Sequence, residues 1–103
     1  MTDLNVFYVR FDIKEGKEEE FLGYLREVIE AMKHESSFVS ATLHRDIDNP
    51  SVLVLHEVWK GTRESFFAEE RPRPYREEYE RQVKLLLHSR TAIWLTPIAT
   101  WDS

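Results

Sequence analysis

The hydrophobic period of the chain switches between that of a strand and that of a helix, and the order of these switches constrains the fold more than any other feature. In residues 6–13 apolar and polar side chains alternate, which predicts a strand with one face in a core. From Lys17 to about Glu35 the apolar residues recur at helical spacing, which predicts an amphipathic helix with one buried stripe.

The strand period returns twice after this helix. Residues 38–46 alternate, and residues 52–59 form a longer apolar run that we expect to be buried on both faces for part of its length. Asp48, Asn49 and Pro50 lie between them and each favour a turn. The two segments are therefore predicted to form an antiparallel hairpin.

A short helical stretch is predicted after the hairpin. Thr62 is placed to cap it, and Phe66 and Phe67 are expected to face inward. Pro72 and Pro74 interrupt this stretch because proline cannot continue a helix that precedes it.

A longer helix over residues 74–88 and a strand over residues 91–100 complete the order strand, helix, strand, strand, helix, strand. Pro97 within the last segment indicates an edge, a bulge or an exit from the sheet. We predict one domain, residues 1–103, of the α+β class: a ferredoxin-like βαββαβ fold with a four-stranded antiparallel sheet and both helices on one face. The other face carries apolar residues, so we expect a homodimer in which a second sheet covers it and an α+β barrel forms.

Composition and charge narrow the range of partners. The net charge is -5 and Arg alternates with Glu between Arg71 and Arg81, so a nucleic-acid partner is not expected. The absence of cysteine excludes disulfides, thiolate metal sites and thiol nucleophiles. The N-terminus does not have the pattern of a signal peptide, and no apolar run approaches the ~20 residues of a membrane span. We expect a cytoplasmic protein without a membrane partner.

Two long segments, IKEGKEEEFLGYLREVIEAM and SFVSATLHRDIDNPSVLVLHEVWKGTRESFFAE, closely resemble the antibiotic biosynthesis monooxygenase family. The resemblance runs from about residue 6 to residue 97 and depends on the order and spacing of several short motifs. Its most specific parts are residues 14–17, 48–50, 57–59 and 63–66.

This resemblance implies a homodimer with a pocket in each subunit between helices and sheet. Characterised relatives include monooxygenases that oxidise quinols and polycyclic phenols with molecular oxygen and no bound metal or flavin, haem-degrading proteins, and an isomerase of a small phosphorylated molecule. Haem-degrading relatives carry an Asn and a His where this chain has Val9 and Glu69, so haem degradation is disfavoured. The Asn that precedes the Trp in the phenol oxygenases falls near Leu55, and Trp59 alone matches cleanly.

Trp59 and two histidines are the catalytic candidates. Trp59 is expected either to stack on an aromatic substrate and donate its indole N–H to an oxyanion, or to cap the sheet as a core residue. His44 and His56 lie on the two strands of the hairpin, and a histidine in the pocket could take a phenolic proton; the alternative is a place at the surface or the dimer interface. No third ligand at metal-binding spacing accompanies them, so neither a metal nor another cofactor is expected. Arg10, Asp12 and Glu57 are strand charges that could be buried, and an adjacent Arg–Glu pair across strands would explain them without a function.

A second group of side chains is expected to contact the substrate: Phe67, Glu69, Tyr75, Arg76 and Tyr79. Glu69 and Arg76 belong to the polar, proline-interrupted segment where relatives place the pocket lid, although a solvated connection is the alternative. Tyr75 and Tyr79 share a helix face, and tyrosines at this spacing also serve as core residues with the hydroxyl at the rim. Phe67 is expected to pack against the core as well.

The leading hypothesis is a cofactor-independent monooxygenase that acts on a small aromatic or quinol-like substrate. An isomerase or other proton-transfer enzyme is the alternative, and it would need an anion site such as Arg10 or Arg76 pointing inward. A third hypothesis is a ligand-binding dimer without catalysis. An RNA-recognition module shares the order of elements, but residues 52–59 lack its basic-glycine-aromatic signature.

Overall fold

The sheet and helices of the computed structural model, which describes residues 3–103, follow the predicted order. Within this range the fold is α+β and ferredoxin-like, with one antiparallel sheet in the strand order β2-β3-β1-β4. The elements are β1 (Leu4–Ile13), α1 (Glu18–Met32), β2 (Phe38–Arg45), β3 (Val52–Lys60), α2 (Arg63–Ser65), a π-helical turn (Phe66–Glu70), α3 (Arg76–Leu86) and β4 (Leu87–Leu95).

The alternation in β1 divides its side chains between two different environments. Phe7, Val9 and Phe11 belong to or pack against the core beneath the helices, whereas Tyr8 and Arg10 are exposed on the opposite face. This confirms the predicted apolar face of the strand. The core also takes the buried stripe of α1, formed by Phe21, Leu25, Val28 and Met32.

The junction between β3 and α2 depends on a glycine and a capping box. Gly61 has φ +98, a conformation that a residue with a Cβ rarely adopts, and it turns the chain out of β3. The Thr62 hydroxyl then accepts a hydrogen bond from the Ser65 amide (3.1 Å), and the Ser65 hydroxyl accepts one from the Thr62 amide (3.0 Å). The predicted cap at Thr62 is therefore confirmed.

The end of the long C-terminal helix differs from the prediction. α3 begins at Arg76 and ends at Leu86, and β4 follows at Leu87 with no loop between them. The reason is pairing with β1: Leu87 lies opposite Ile13, and the Leu86 carbonyl accepts a hydrogen bond from the Lys14 amide (3.0 Å). β4 then ends at Leu95, so Pro97 lies beyond the sheet, which was one of the three options that it indicated.

The sheet face away from the helices has no helix against it and carries large apolar side chains. Leu4, Tyr8, Ile93 and Leu95 are all exposed there. A chain of this length gains from covering such a surface. Within residues 3–103 no helix combines the length and the apolar character that crossing a membrane requires.

Candidate active site

A cavity of about 160 Å³ lies between the sheet and the helices. Most of its wall is apolar, formed by Phe7, Val9, Phe11, Leu25, Val28, Ile29, Met32, Leu55, Phe66, Phe67 and Ala92. Its polar lining residues are Glu57, Arg71, Arg76, Tyr79, Glu80 and Arg90. A concave apolar site with a few convergent polar groups is the usual form of a small-molecule site.

Glu57 is a carboxyl group buried in this wall. It occupies the helix-facing register of β3 together with Leu55 and Trp59, and only 4% of its surface is exposed. Its Oε1 accepts a hydrogen bond from Trp59 Nε1 (2.9 Å), and Oε2 accepts none from the part of the chain that the structure describes. Burial raises the pKa of Glu57 above the usual value for a glutamate, against the smaller lowering effects of the Trp59 hydrogen bond and the Arg76 charge.

Arg76 brings a buried positive charge to the same cavity. It is 6% exposed, in the first turn of α3, and forms no ion pair with any residue from 3 to 103. Its Cζ lies 5.2 Å from the centroid of the Phe66 ring and 6.0 Å from that of Trp59, within range of cation–π attraction. The Nε and Nη2 atoms of Arg76 are buried without a hydrogen-bond partner in the described chain.

An ion-pair cluster lies at another part of the cavity wall. The Glu80 carboxylate accepts hydrogen bonds from Arg90 Nη2 (2.9 Å) and Nη1 (3.3 Å), and Arg71 Nη2 lies 3.5 Å from it. This cluster connects α3 to β4 and to the segment after the π-helical turn. Tyr79, one residue before Glu80, is buried, and burial raises the pKa of its phenol.

The described residues offer little for a metal. No group of three or more His, Cys, Asp or Glu side chains within residues 3–103 is arranged to hold a metal ion. The polar lining of the cavity, with three guanidinium groups and two carboxyl groups, instead suits an organic ligand with polar or anionic groups.

A family comparison identifies the chain. The family model described as antibiotic biosynthesis monooxygenase matches residues 6–68, more than half of the sequence. The chain belongs to the antibiotic biosynthesis monooxygenase family. No curated protein matches it.

Solved structures of other proteins share the fold of this chain. The chain is similar to Rv0793 of Mycobacterium tuberculosis, with 22% identity, a TM-score of 0.83 and coverage of 96% of this chain and 99% of that one. It is similar to SO0527 of Shewanella oneidensis, with 22% identity, a TM-score of 0.81 and coverage of 92% and 91%. A Nitrosomonas europaea protein named for this monooxygenase family has 20% identity, a TM-score of 0.82 and coverage of 95% and 93%. Identities of this size establish the common fold and leave the reaction to be argued from the site.

Trp59, the residue that was expected to match the family's site, lies beside the cavity and not in its wall. The indole is 1% exposed and packs edge-on between Phe38 and Phe66, with ring centroids 5.3 Å from each. Its N–H is already donated to Glu57. In this arrangement Trp59 matches the expected core residue, and its polar group positions the Glu57 carboxyl.

His44 and His56 lie on the sheet face away from the cavity. His56 is opposite Tyr8 on β1 and Thr42 on β2, and His44 is opposite Val54. The two histidines are diagonal neighbours and do not face each other directly. Neither lines the cavity, so the structure does not bring them together with Glu57 or Arg76.

The residues expected to contact substrate fall into two groups. Phe67, Arg76 and Tyr79 line the cavity. Tyr75 lies outside it, in a second cavity of about 150 Å³ between α1 and α3, and Glu69 is exposed on the π-helical turn. Phe66 and Phe67 were both expected to face inward. Phe66 is buried, whereas about half of the surface of Phe67 is exposed.

The role of Glu57 was the main omission of the sequence analysis. A cross-strand Arg–Glu pair does not explain Glu57, because this residue lies opposite Phe7 on β1 and Ala41 on β2. A signal was present in the sequence. Glu57 is separated by even numbers of residues from Leu53, Leu55 and Trp59, so it lies on the same buried face of β3 and interrupts an otherwise apolar series. A carboxyl group in that register is expensive to bury unless it has a partner or a function.

Proposed function

We propose that this protein is a cofactor-independent monooxygenase that oxidises a small single-ring phenol or quinol with molecular oxygen. The observation that carries the proposal is the buried Glu57 carboxyl group in the wall of a mostly apolar cavity. Its raised pKa makes it a stronger base than an exposed glutamate, and general-base catalysis works best when the pKa of the base approaches the operating pH.

The proposed reaction begins with proton transfer. Glu57 takes the proton of a phenolic hydroxyl, and the positive charge of Arg76 stabilises the resulting phenolate. The phenolate passes one electron to O₂, and the phenoxyl radical and superoxide combine at a ring carbon that bears hydrogen, para to the oxygen in a simple phenol and ortho to it in a hydroquinone. The peroxide anion then recovers the proton from Glu57.

Loss of water from this hydroperoxide completes the reaction. The O–O bond breaks, the hydrogen on the same ring carbon leaves as a proton, and a second carbonyl group forms. One phenol and one O₂ thus give one quinone and one water. All four electrons that reduce O₂ come from the substrate, so the balance requires no further reductant.

The size of the cavity favours one ring. Its volume of about 160 Å³ is close to the ~150 Å³ of an engineered protein cavity that holds benzene. A substrate with fused rings would need Phe67 and the π-helical turn to move aside. We therefore expect simple phenols and hydroquinones to be better substrates than naphthols or larger polycycles.

Oxygen uptake by chelator-treated protein tests the proposal. With hydroquinone or phenol we expect uptake above autoxidation, at one O₂ per substrate, and a fall of about 100-fold or more in Glu57→Gln, which is the scale of a lost general base. Glu77→Gln, an exposed substitution on α3, is the matched control and should behave as wild type. Absence of protein-dependent uptake, or full activity in Glu57→Gln, would contradict the proposal.

A proton-transfer enzyme such as an isomerase is a second candidate, favoured by the inward position of Arg76. A carboxylate base with a nearby guanidinium can form and stabilise an enolate without oxygen. Incorporation of solvent deuterium into a carbonyl compound under anaerobic conditions, lost in Glu57→Gln, would favour this reaction over oxygenation.

We further propose that the protein acts as a homodimer in the cytoplasm. The support for the dimer is the set of exposed apolar side chains on the sheet face away from the helices, which a second copy of the sheet would cover.

A further inference from the structure

Tyr79 presents a second polar group to the main cavity. The residue is 7% exposed in α3 and borders both this cavity and the smaller one between α1 and α3. Its hydroxyl lies near Arg90, whose guanidinium acts on the phenol by charge and by hydrogen bonding. Of the two cavities Arg90 lines only the main one, so the hydroxyl end of Tyr79 lies at the main cavity.

The hydrogen of this hydroxyl is available to a ligand. A guanidinium has no acceptor, so Arg90 can only donate to the phenol oxygen. Tyr79 forms no directly aligned hydrogen bond within residues 3–103. The polar atoms of that range that are fully buried without a partner are Asn5 Oδ1, Tyr75 Oη, and Arg76 Nε and Nη2, and the Tyr79 hydroxyl is not among them, so it retains accessible surface. Burial raises the pKa of the Tyr79 phenol, so it remains a protonated donor at neutral pH.

Glu57 and the Tyr79 hydroxyl lie at different ends of the cavity. Glu57 is on β3 and Arg90 is on β4, with β1 between them, so the two strands are about 10 Å apart. Along the sheet, Glu57 lies opposite Phe7 and Arg90 lies opposite Phe11, and both phenylalanines line the cavity. The Glu57 charge still acts to raise the pKa of the Tyr79 phenol, so the two polar groups border one small space with an apolar middle.

We infer that Tyr79 is a specificity-determining residue, which selects phenols that carry a hydrogen-bond acceptor, such as an ether or carbonyl oxygen, para to the hydroxyl. This inference rests on the proposed function for the location of the site and narrows the substrate class of that site. The phenolic O–H is directed to Glu57, the ring lies on the apolar wall, and the para substituent accepts a hydrogen bond from Tyr79. With the para carbon substituted, an ortho carbon that bears hydrogen takes the oxygen.

Equilibrium binding of 4-methoxyphenol and 4-ethylphenol, measured by titration calorimetry without oxygen, tests the inference. The two ligands have nearly the same shape, but only 4-methoxyphenol has an acceptor at the para position. We expect wild-type protein to bind 4-methoxyphenol at least as tightly, although the ethyl group is more apolar. In Tyr79→Phe the ratio of the two affinities should shift by about fivefold or more towards 4-ethylphenol, because the ether oxygen is then buried without a donor. Tyr24→Phe, a half-buried substitution that borders only the smaller cavity, should leave the ratio unchanged.

The wild-type measurement decides the question even where Tyr79→Phe does not fold. A preference of wild-type protein for 4-ethylphenol, or no binding of either ligand, would overturn the inference. So would a folded Tyr79→Phe variant with the wild-type ratio. The expected ratios without any oxygen uptake would refute the oxygenase proposal alone, whereas oxygen uptake with an unchanged ratio in Tyr79→Phe would refute only the role of Tyr79.

Discussion

Trp59 Nε1 donates a 2.9 Å hydrogen bond to Glu57 Oε1, so this tryptophan holds the carboxyl group that lies in the cavity wall. The two residues are separated by one position on β3 and share its helix-facing side. Trp59 therefore acts on the cavity through Glu57, since the indole N–H favours the charged form of this carboxyl group.

Substitution of Trp59 by Phe should raise the pKa of Glu57 further. The ring remains, but the donor that stabilises the carboxylate is lost, so the acidic limb of the kcat/KM profile for oxygen uptake moves to higher pH. We also expect a loss of about 1–3 kcal/mol in unfolding free energy from the lost hydrogen bond. Trp94→Phe is the control, because Trp94 stacks on Phe7 at 4.2 Å and forms no hydrogen bond with Glu57. An unmoved acidic limb in Trp59→Phe would contradict this role.

The pH dependence of stability should reveal the buried carboxyl group. The pKa of Glu57 in the folded protein lies above its ordinary value of 4.5. As the pH rises, the Glu57 carboxyl group therefore loses its proton in the unfolded chain before it does so in the folded protein, and the free energy of unfolding falls. The fall begins near the unfolded pKa and ends above the folded one. Glu57→Gln lacks this titration, and its stability relative to wild type should therefore increase with pH across that interval. Urea unfolding of both proteins from about pH 4 to about pH 8 measures the difference, and a constant difference would show that Glu57 is not destabilised by burial.

Two glycines should respond to alanine in opposite directions. At Gly61, φ is +98 and an added Cβ would lie 2.6 Å from Ser65 Oγ, so Gly61→Ala should lower the unfolding free energy by more than about 1 kcal/mol and disturb the cap of α2. Gly23 lies in α1 with nothing within 4 Å of the added Cβ. Because alanine favours a helix more than glycine does, Gly23→Ala should raise the unfolding free energy by about 0.5–1 kcal/mol. Thermal unfolding of the pair provides the measurement, and a stabilised Gly61→Ala would contradict the interpretation of this turn.

A charge on the uncovered sheet face should prevent dimer formation. Ile93 is 54% exposed in β4, opposite Tyr8, so Ile93→Arg would place a cation within the proposed interface. Ile47 is 94% exposed in the hairpin turn, and Ile47→Arg is the matched control. Light scattering after gel filtration should give a dimer for wild type and Ile47→Arg and a monomer for Ile93→Arg. A wild-type monomer would remove the dimer proposal.

The fold could be predicted from the sequence because each element carries its own local signal. The strand alternation of β1, the helical stripe of α1 and the cap at Thr62 are all set by residues close together in the chain, and all three are confirmed. The boundary between α3 and β4 was misplaced because Leu86 and Leu87 fit the helical stripe equally well. Pairing of Leu87 with Ile13, a contact across the chain, decides it.

The site was harder to predict because it depends on which face of the sheet each residue takes. Trp59 and His56 are three positions apart on one strand, and such side chains point to opposite faces, so both could not line one pocket. Odd-numbered and even-numbered residues of β3 point to opposite faces, so their positions alone would have separated His56 from Trp59 and grouped Glu57 with Trp59. The unpaired edge of Arg76 could not be inferred at all, since the absence of a partner is a property of the whole packed interior.

The direct passage from α3 into β4 also restricts how the cavity can admit a ligand. The C-terminal end of α3 is fixed to the sheet, since Leu87 is already paired with Ile13 and the Leu86 carbonyl with Lys14. Any tilt of α3 that preserves this pairing must therefore turn about its C-terminal end. The opposite end of α3 follows Pro74 and carries Arg76, so a tilt of the helix would displace this cavity-lining side chain more than it would displace Leu86.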